Sequence, residues 1–101
     1  MTLLFVATLA LAQASCPVGN LKACQSYLKS EHMKKNDPVF IEKFDIVCSE
    51  NKTFSCIKMT VRDDINLVLK DQAQLRGPNA ALFAVKSTDE NFIYILAPKT
   101  K

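Results

Sequence analysis

The sequence contains no tryptophan, two glycines and one histidine, and the scarcity of glycine and of histidine each excludes a class of protein. A glycine-rich phosphate-binding loop is excluded, because Gly19 and Gly77 are far apart in the chain. A nuclease built on two histidines is excluded, because His32 is alone. Dense basic runs are also absent, since the longest is Lys34-Lys35 and the net charge is only +3. We therefore expect no nucleic-acid partner.

The residues that could support catalysis are few and scattered. His32 lies among charged residues and is interpreted as a solvated side chain on a helix. Two pairs of adjacent carboxylates occur, Asp63-Asp64 and Asp89-Glu90, and adjacent side chains on a strand point to opposite faces. Helix capping and turn solvation explain these pairs better than a shared acid–base site. The sequence predicts a protein that is not an enzyme and holds no metal or cofactor.

No apolar run is long enough to cross a membrane, but a short one stands at the start. Residues 3–11 are mostly apolar, and Ala12-Gln13-Ala14 follows as a small-x-small triplet. This is the layout of a secretory signal peptide, whereas a membrane-spanning helix needs roughly 17–25 apolar residues. A lipoprotein signal would place an aliphatic residue at Gln13, three positions before Cys16. The sequence predicts a signal peptide over 1–14 and a secreted, extracellular domain over 15–101.

The four cysteines form an even set, which in an exported chain predicts two disulfide bonds. Cys16 and Cys24 have the same spacing as Cys48 and Cys56. Zinc sites place paired ligands two to four residues apart, so this spacing disfavours zinc. Two local bridges would each contribute about 2.5 kcal/mol, and two long-range bridges about 3.5–4 kcal/mol each. The equal spacing favours the local pairing and the energies favour the long-range one, so both stay open.

Asn51-Lys52-Thr53 is an N-glycosylation sequon with no proline in the middle. It lies in a polar stretch, 49–53, between two apolar segments, where an exposed loop is expected. We therefore predict that Asn51 carries a glycan in a host that performs this modification.

The hydrophobic pattern predicts helices and strands of an α+β domain. A helix is expected over 20–35, with Asn20 as its N-cap and Asn36-Asp37-Pro38 as its end. From residue 39 the apolar positions are separated by even numbers, which predicts two strands joined by a hairpin at 49–53: Phe40, Phe44, Ile46, Cys48, Phe54 and Cys56.

The second half of the chain contains one ambiguous segment and two clear strands. Residues 63–76 fit a helix or a strand, and the helix is favoured by a cap at Asp63-Asp64 and a stop at Gly77-Pro78. Strands are predicted over 81–86 and 92–96. The predicted fold is an N-terminal helix packed on a four- to five-stranded antiparallel sheet with two disulfides.

Two short segments resemble motifs of known families. Residues 73–77, followed by a strand hairpin, resemble the Gln-x-Val-x-Gly loop of cystatin-type cysteine-protease inhibitors, with Ala73 in place of the glutamine. Residues 88–92 resemble the Thr-Asp-x-x-Asn-Tyr turn of lipocalins, although the chain is short for a lipocalin barrel. The first resemblance implies protease inhibition and the second implies transport of small apolar ligands. Neither assigns the chain to a family.

We predict a protein that acts by binding an extracellular macromolecular partner. Protease inhibition is the sharpest form of this hypothesis, and the candidate binding loop consists of Leu75, Arg76, Gly77 and Pro78. One alternative is a carrier with an internal cavity lined by Leu82, Phe83, Phe92 and Tyr94. Another is a cationic defence effector that uses the basic face of the first helix, formed by Lys22, Lys29, Lys34 and Lys35.

Overall fold

A computed structural model describes residues 16–34, 38–87 and 89–99 of the chain. The predicted signal peptide, 1–14, lies outside the described residues. The described ranges contain three helices and three strands, in the order α1 (Leu21–Lys34), α2 (Pro38–Glu50), β1 (Phe54–Val61), α3 (Ile65–Arg76), β2 (Ala81–Ser87) and β3 (Glu90–Pro98).

The three strands form one antiparallel sheet in the order β1-β3-β2. β2 and β3 form a hairpin, with register pairs from Ala81–Leu96 to Ser87–Glu90. β1 lies on the other side of β3, where Phe54 is opposite Pro98. The α+β class, the antiparallel sheet and the last two predicted strands are confirmed. The predicted architecture, an N-terminal helix and at most one further helix on a sheet of four or five strands, is wrong, because the described residues form three helices and three strands.

α1 and α2 cover one face of the sheet and enclose the main core. Phe40 and Phe44 of α2 are buried against Phe83 and Tyr94 of the sheet. The rings of Phe40 and Phe83 are 5.1 Å apart, and those of Phe44 and Tyr94 are 5.0 Å apart with a T-shaped arrangement. Such aromatic pairs contribute about 0.5–1.5 kcal/mol beyond the area they bury. This aromatic layer fixes α2 on the sheet.

α3 covers the opposite face, where burial is much weaker. Ile93, Ile95 and Ala97 of β3 point to this face and are buried. Ile65, Val68 and Leu69 are the α3 residues that pack on them, yet no residue of α3 is fully buried. The sheet is therefore a central layer with a closed face and a partly open face.

The predicted strand over 39–48 is wrong, because this segment is the helix α2. Phe40, Phe44 and Cys48 are separated by even numbers, but four residues is also the spacing of one helical turn. Val47, which the alternating pattern left out, is buried beside Phe44 and completes the helical face. Pro38 begins this helix, a position where its missing N–H costs nothing. The predicted hairpin at 49–53 is instead a connection from α2 to β1.

The ends of α1 and α3 follow the capping residues in the sequence. The side chain of Asn20 accepts a hydrogen bond from the backbone N–H of Ala23 at 3.0 Å, at the start of α1. Asp64 accepts one from Asn66 at 2.9 Å, at the start of α3. Because 65–76 is helical, the helix interpretation of this ambiguous segment is confirmed.

The two disulfides join Cys16 to Cys24 and Cys48 to Cys56. The local pairing is therefore the one that forms, and both bridges span the same sequence separation of 8. The first bridge closes a loop onto α1, and the second ties α2 to β1. Each contributes about 2.5 kcal/mol in the chain-entropy model. The long-range alternative is wrong because helix α2 delivers Cys48 directly beside the start of β1.

Candidate functional site

A surface cleft of about 290 Å³ lies between the C-terminal end of α3 and the sheet. It is on the weakly covered face, at the end where β1 begins and β3 finishes. Its lining combines apolar and polar side chains from four segments: Ser55, Leu75, Arg76, Asn79, Ala97 and Pro98. A small cleft with few convergent polar groups suits an anchoring side chain better than a whole drug-sized ligand.

Leu75 gives the cleft an apolar rim that is open to solvent. Its side chain is 70% exposed, although it lies in the last turn of a packed helix. Leu67, two turns earlier on the same helix, is 58% exposed. A single exposed leucine needs no explanation, but Leu75 on the rim of a cleft offers apolar surface to a ligand there, whereas Leu67 lies outside the cleft lining.

Arg76 gives the same cleft a positive charge. Its Nε–H donates to the side-chain oxygen of Gln72 at 3.2 Å, which holds the guanidinium group along the helix. A guanidinium group has five N–H donors in a planar fork, and this fork matches a carboxylate or phosphate group. The ammonium group of Lys99 donates to the backbone carbonyl of Lys52 at 3.0 Å, at the same end of the sheet. This end of the molecule therefore favours an anionic ligand group.

Gly77 and Pro78 complete the predicted binding loop and form the turn from α3 into β2. Gly77 has φ +87°, a region that residues with a side chain rarely adopt, and its N–H donates to the carbonyl of Ala73 at 3.0 Å. Pro78 and Arg76 are exposed and Gly77 is partly buried. The structure brings Leu75 and Arg76 together in the cleft and places Gly77 and Pro78 beside it.

The segment that resembles the cystatin loop has a different local structure. Ala73 and the three residues after it form the last turn of α3 rather than a loop between two strands. The side chains of this segment are consequently presented at helical spacing. The resemblance is therefore confined to the sequence.

Asn51, the predicted glycosylation site, is not in an exposed position. Its side chain is 2% exposed and lies between α2 and the loop that contains Gly19. Lys52 and Thr53 are exposed, as expected for the polar connection. The expected exposure of Asn51 is therefore wrong, because the side-chain amide is used to hold the fold together. Glycosylation itself stays a prediction.

The interpretation of His32 as a solvated side chain is also wrong. The ring is partly buried and packs edge-on against Phe40, with 5.2 Å between the ring centroids. Its Nε2 lies 2.8 Å from the carbonyl oxygen of Ala84, so that α1 covers part of strand β2.

The carboxylate pairs behave as expected where the structure describes them, since Asp64 caps α3 and Asp89 and Glu90 are exposed at the hairpin turn.

Lys58, Asp45 and Tyr94 form a charged cluster at the rim of the aromatic core. Lys58 Nζ is 2.8 Å from Asp45 Oδ1 and 5.8 Å from the centre of the Tyr94 ring. The hydrogen bond to Asp45 raises the pKa of Lys58. Burial raises the pKa of Tyr94. Both groups keep their protons at neutral pH, so neither the Lys58 amine nor the Tyr94 hydroxyl acts as a general base or nucleophile there.

The residues predicted to line a carrier cavity are not brought together. Leu82 points to the α3 face, whereas Phe83, Phe92 and Tyr94 point to the opposite face, where they pack against other side chains.

Of the predicted basic face, Lys22 and Lys29 are exposed, and the side chains of Lys34 and Lys35 lie outside the described residues.

Comparison with protein-family models, with curated proteins and with solved structures finds no match to this chain. Within the described ranges, no helix has the length and apolar character needed to cross a membrane. The same residues contain no group of three or more potential metal ligands.

Four residues of the cleft were missed by sequence reasoning, which identified only the loop at 75–78. Ser55, Asn79, Ala97 and Pro98 have ordinary roles as strand and turn residues, and no local pattern distinguishes them. They meet only because β3 is the central strand and β1 pairs with it. To predict these four residues, one would need to know that the first and last strands pair in an antiparallel direction.

Proposed function

We propose that this protein is a small secreted binding protein, without catalytic activity, that engages an extracellular macromolecular partner through the cleft at the end of α3. The observation that carries the proposal is the position of exposed Leu75 and of Arg76 on one cleft wall. Two local disulfides in a domain of this size are typical of extracellular modules. Because no known family matches the chain, we infer the kind of partner from the chemistry of the cleft surface.

The chemistry of the cleft favours a peptide segment in which an apolar side chain adjoins a carboxylate. Leu75, Ala97 and Pro98 would contact the apolar side chain, and Arg76 would pair with the carboxylate. Ser55 and Asn79 add polar groups that can bind the peptide backbone. A hydrogen bond to a charged group contributes about 1.5–3 kcal/mol, which corresponds to at least tenfold in affinity.

The proposal is tested by titrating isotope-labelled protein with acetyl-Leu-Glu-Leu-amide and with its glutamine counterpart while amide resonances are recorded. We expect the glutamate peptide to shift the amides of Ser55, Asn79 and Ala97 and to bind about tenfold more tightly. Shifts that map to another surface, or equal affinity for both peptides, would contradict the proposal.

Matched variants separate the two contributions. Arg76→Gln should abolish the preference for glutamate, while Arg62→Gln, an exposed arginine on another segment, should not. Leu75→Ala should weaken both peptides, while Leu67→Ala, exposed on the same helix but outside the cleft lining, should not. Equal effects of target and control would indicate non-specific binding.

Protease inhibition is the most specific form of this proposal; it rests on the exposure of Leu75 and Arg76 at the cleft, because the resemblance at 73–77 is confined to the sequence. It is tested by the residual activity of a papain-type cysteine protease as the protein is added in increasing excess. We expect inhibition that Leu75→Asp abolishes. Full protease activity in large excess would eliminate this form, while the peptide titration would still decide the broader proposal.

A further inference from the structure

Asn51 uses both ends of its side-chain amide inside the fold. Its Oδ1 accepts a hydrogen bond from the backbone N–H of Gly19 at 2.6 Å, across 32 positions of sequence. Its Nδ2 donates to the backbone carbonyl of Val47 at 2.9 Å. With 2% of the residue exposed, the amide is shielded from water on both sides.

The two partners of this amide belong to different parts of the chain. Val47 contributes one of the last four carbonyl groups of α2, and these groups have no backbone N–H partner within the helix. Gly19 lies in the loop closed by the Cys16–Cys24 bridge, at φ +85°. Asn51 therefore caps the end of α2 and connects it to this loop. An asparagine suits this position because its side chain offers an acceptor and a donor together.

We propose that Asn51 is a buried anchor that docks the Cys16–Cys24 loop on the end of α2, and that the folded protein accepts no glycan at its sequon. Glycosylation forms a bond between the first sugar carbon and Nδ2, which loses one hydrogen as a proton while the lipid diphosphate of the donor leaves. Nδ2 points at the Val47 carbonyl in the interior. Nδ2 keeps one hydrogen after glycosylation, but a residue that is only 2% exposed leaves no room for a sugar, which would have to displace the side chain and break the Gly19 contact.

The first test compares glycan transfer to the folded and to the unfolded chain. A purified oligosaccharyltransferase and a lipid-linked oligosaccharide donor are added to native protein and to reduced, alkylated and denatured protein, and intact mass is measured. We expect transfer to Asn51 in the unfolded chain and none in the folded one. Transfer to Asn51 in the native protein would overturn the proposal.

A variant with a second sequon controls for access of the enzyme to folded protein. Lys22→Thr completes a sequon at Asn20, and residues 20 and 22 are both exposed. Asn20 keeps its Oδ1 for the N–H of Ala23 when a sugar is attached to its Nδ2. We expect the native variant to acquire a glycan at Asn20 alone. A glycan on Asn51 in the native variant would overturn the proposal.

The second test measures the anchor directly by hydrogen exchange. Asn51→Ala should accelerate exchange of the Gly19 amide by about tenfold or more, because this N–H loses its acceptor. The midpoint of thermal unfolding should fall by about 5–10 °C. Thr53→Ala removes the same sequon without touching the amide and should leave both quantities unchanged.

Unchanged exchange at Gly19 in Asn51→Ala would overturn the anchoring role. The same fall in the unfolding midpoint for Thr53→Ala would assign the effect to the connection between α2 and β1 rather than to the amide, and would also overturn it. The transfer test and the exchange rate of the unaltered protein decide the proposal even where Asn51→Ala does not fold.

Discussion

The two faces of the sheet differ in how completely they are covered. On one face, α1 and α2 bury Leu28, Phe40, Phe44 and Val47 almost completely. On the other face, α3 lies across β2 and β3 with no fully buried residue. Both helical layers rest on the same strand, since neighbouring residues of β3 point alternately to one face and to the other.

This difference separates the face that stabilises the fold from the face that contains the proposed binding cleft. Burial of a large apolar side chain contributes about 1.5–3 kcal/mol, so the α1–α2 face carries most of the hydrophobic stabilisation. The α3 face retains apolar surface that water still contacts, together with the cleft that contains Leu75 and Arg76. A partner that covers this face would remove from water the apolar surface that α3 leaves exposed, and this burial would favour binding.

The largest expected effect comes from breaking the closed face. Phe40→Ala removes a fully buried ring that contacts His32, Phe44, Phe83 and Tyr94. We expect the free energy of unfolding to fall by about 3–5 kcal/mol, because the ring leaves a cavity in a packed layer. Urea denaturation followed by circular dichroism measures this change.

The matched variant on the open face is Leu69→Ala, a partly buried residue of α3. We expect it to cost about 1 kcal/mol, because part of its side chain keeps its contact with water. The ratio of the two losses measures the asymmetry of the sheet. Equal losses would mean that α3 stabilises the fold as strongly as α2, and the distinction between the faces would fail.

An intermediate effect is expected from the bridge between α2 and β1. Replacing Cys48 and Cys56 together by serine should lower the free energy of unfolding by about 2.5 kcal/mol, the chain-entropy value for a loop of this length. Because the bridge lies on the closed face, hydrogen exchange should accelerate first in α2 and β1. Earlier acceleration in α3 would show that the two faces are not independent.

The sequence predicted the second half of the fold better than the first. Asp64 and Gly77 mark the ends of α3, and apolar runs mark β2 and β3, so local signals were sufficient there. In α2, Phe40, Phe44 and Cys48 satisfy both an even spacing and the spacing of a helical turn. The buried Val47 distinguishes the two patterns, and counting it would have favoured the helix.

The candidate site was predictable only in part, for a topological reason. The helix end that contains Leu75 and Arg76 could be identified from the helix stop at Gly77. The opposite wall of the cleft depends on Ser55 and Ala97 becoming neighbours, and they do so because β1 pairs with β3 in this register. The exposure of Asn51 was wrongly predicted for a similar reason, because the residues next to it in sequence do not indicate that Gly19 lies against its side chain.

The smallest effect should come from alkaline pH, through Lys58 and Tyr94 at the rim of the closed face. The ordinary pKa values are 10.5 for Lys58 and 10.0 for Tyr94, and both are raised in the folded protein. A group with a raised folded-state pKa contributes stability below its unfolded-state pKa and loses it as the pH rises through the folded-state pKa. We therefore expect constant stability up to about pH 10 and a decline above it.

The size of this decline tests how much the rim contributes to the closed face. The Lys58–Asp45 pair is about half exposed, with side-chain exposures of 51% and 52%, so water screens it and its contribution is at most about 1 kcal/mol. Urea denaturation across the alkaline range measures the decline, and Lys58→Met combined with Tyr94→Phe should remove it. A decline that persists in the double variant would show that the alkaline sensitivity arises outside this cluster. The stability of the closed face would then depend on its apolar core and its disulfide, and not on the Lys58–Tyr94 rim.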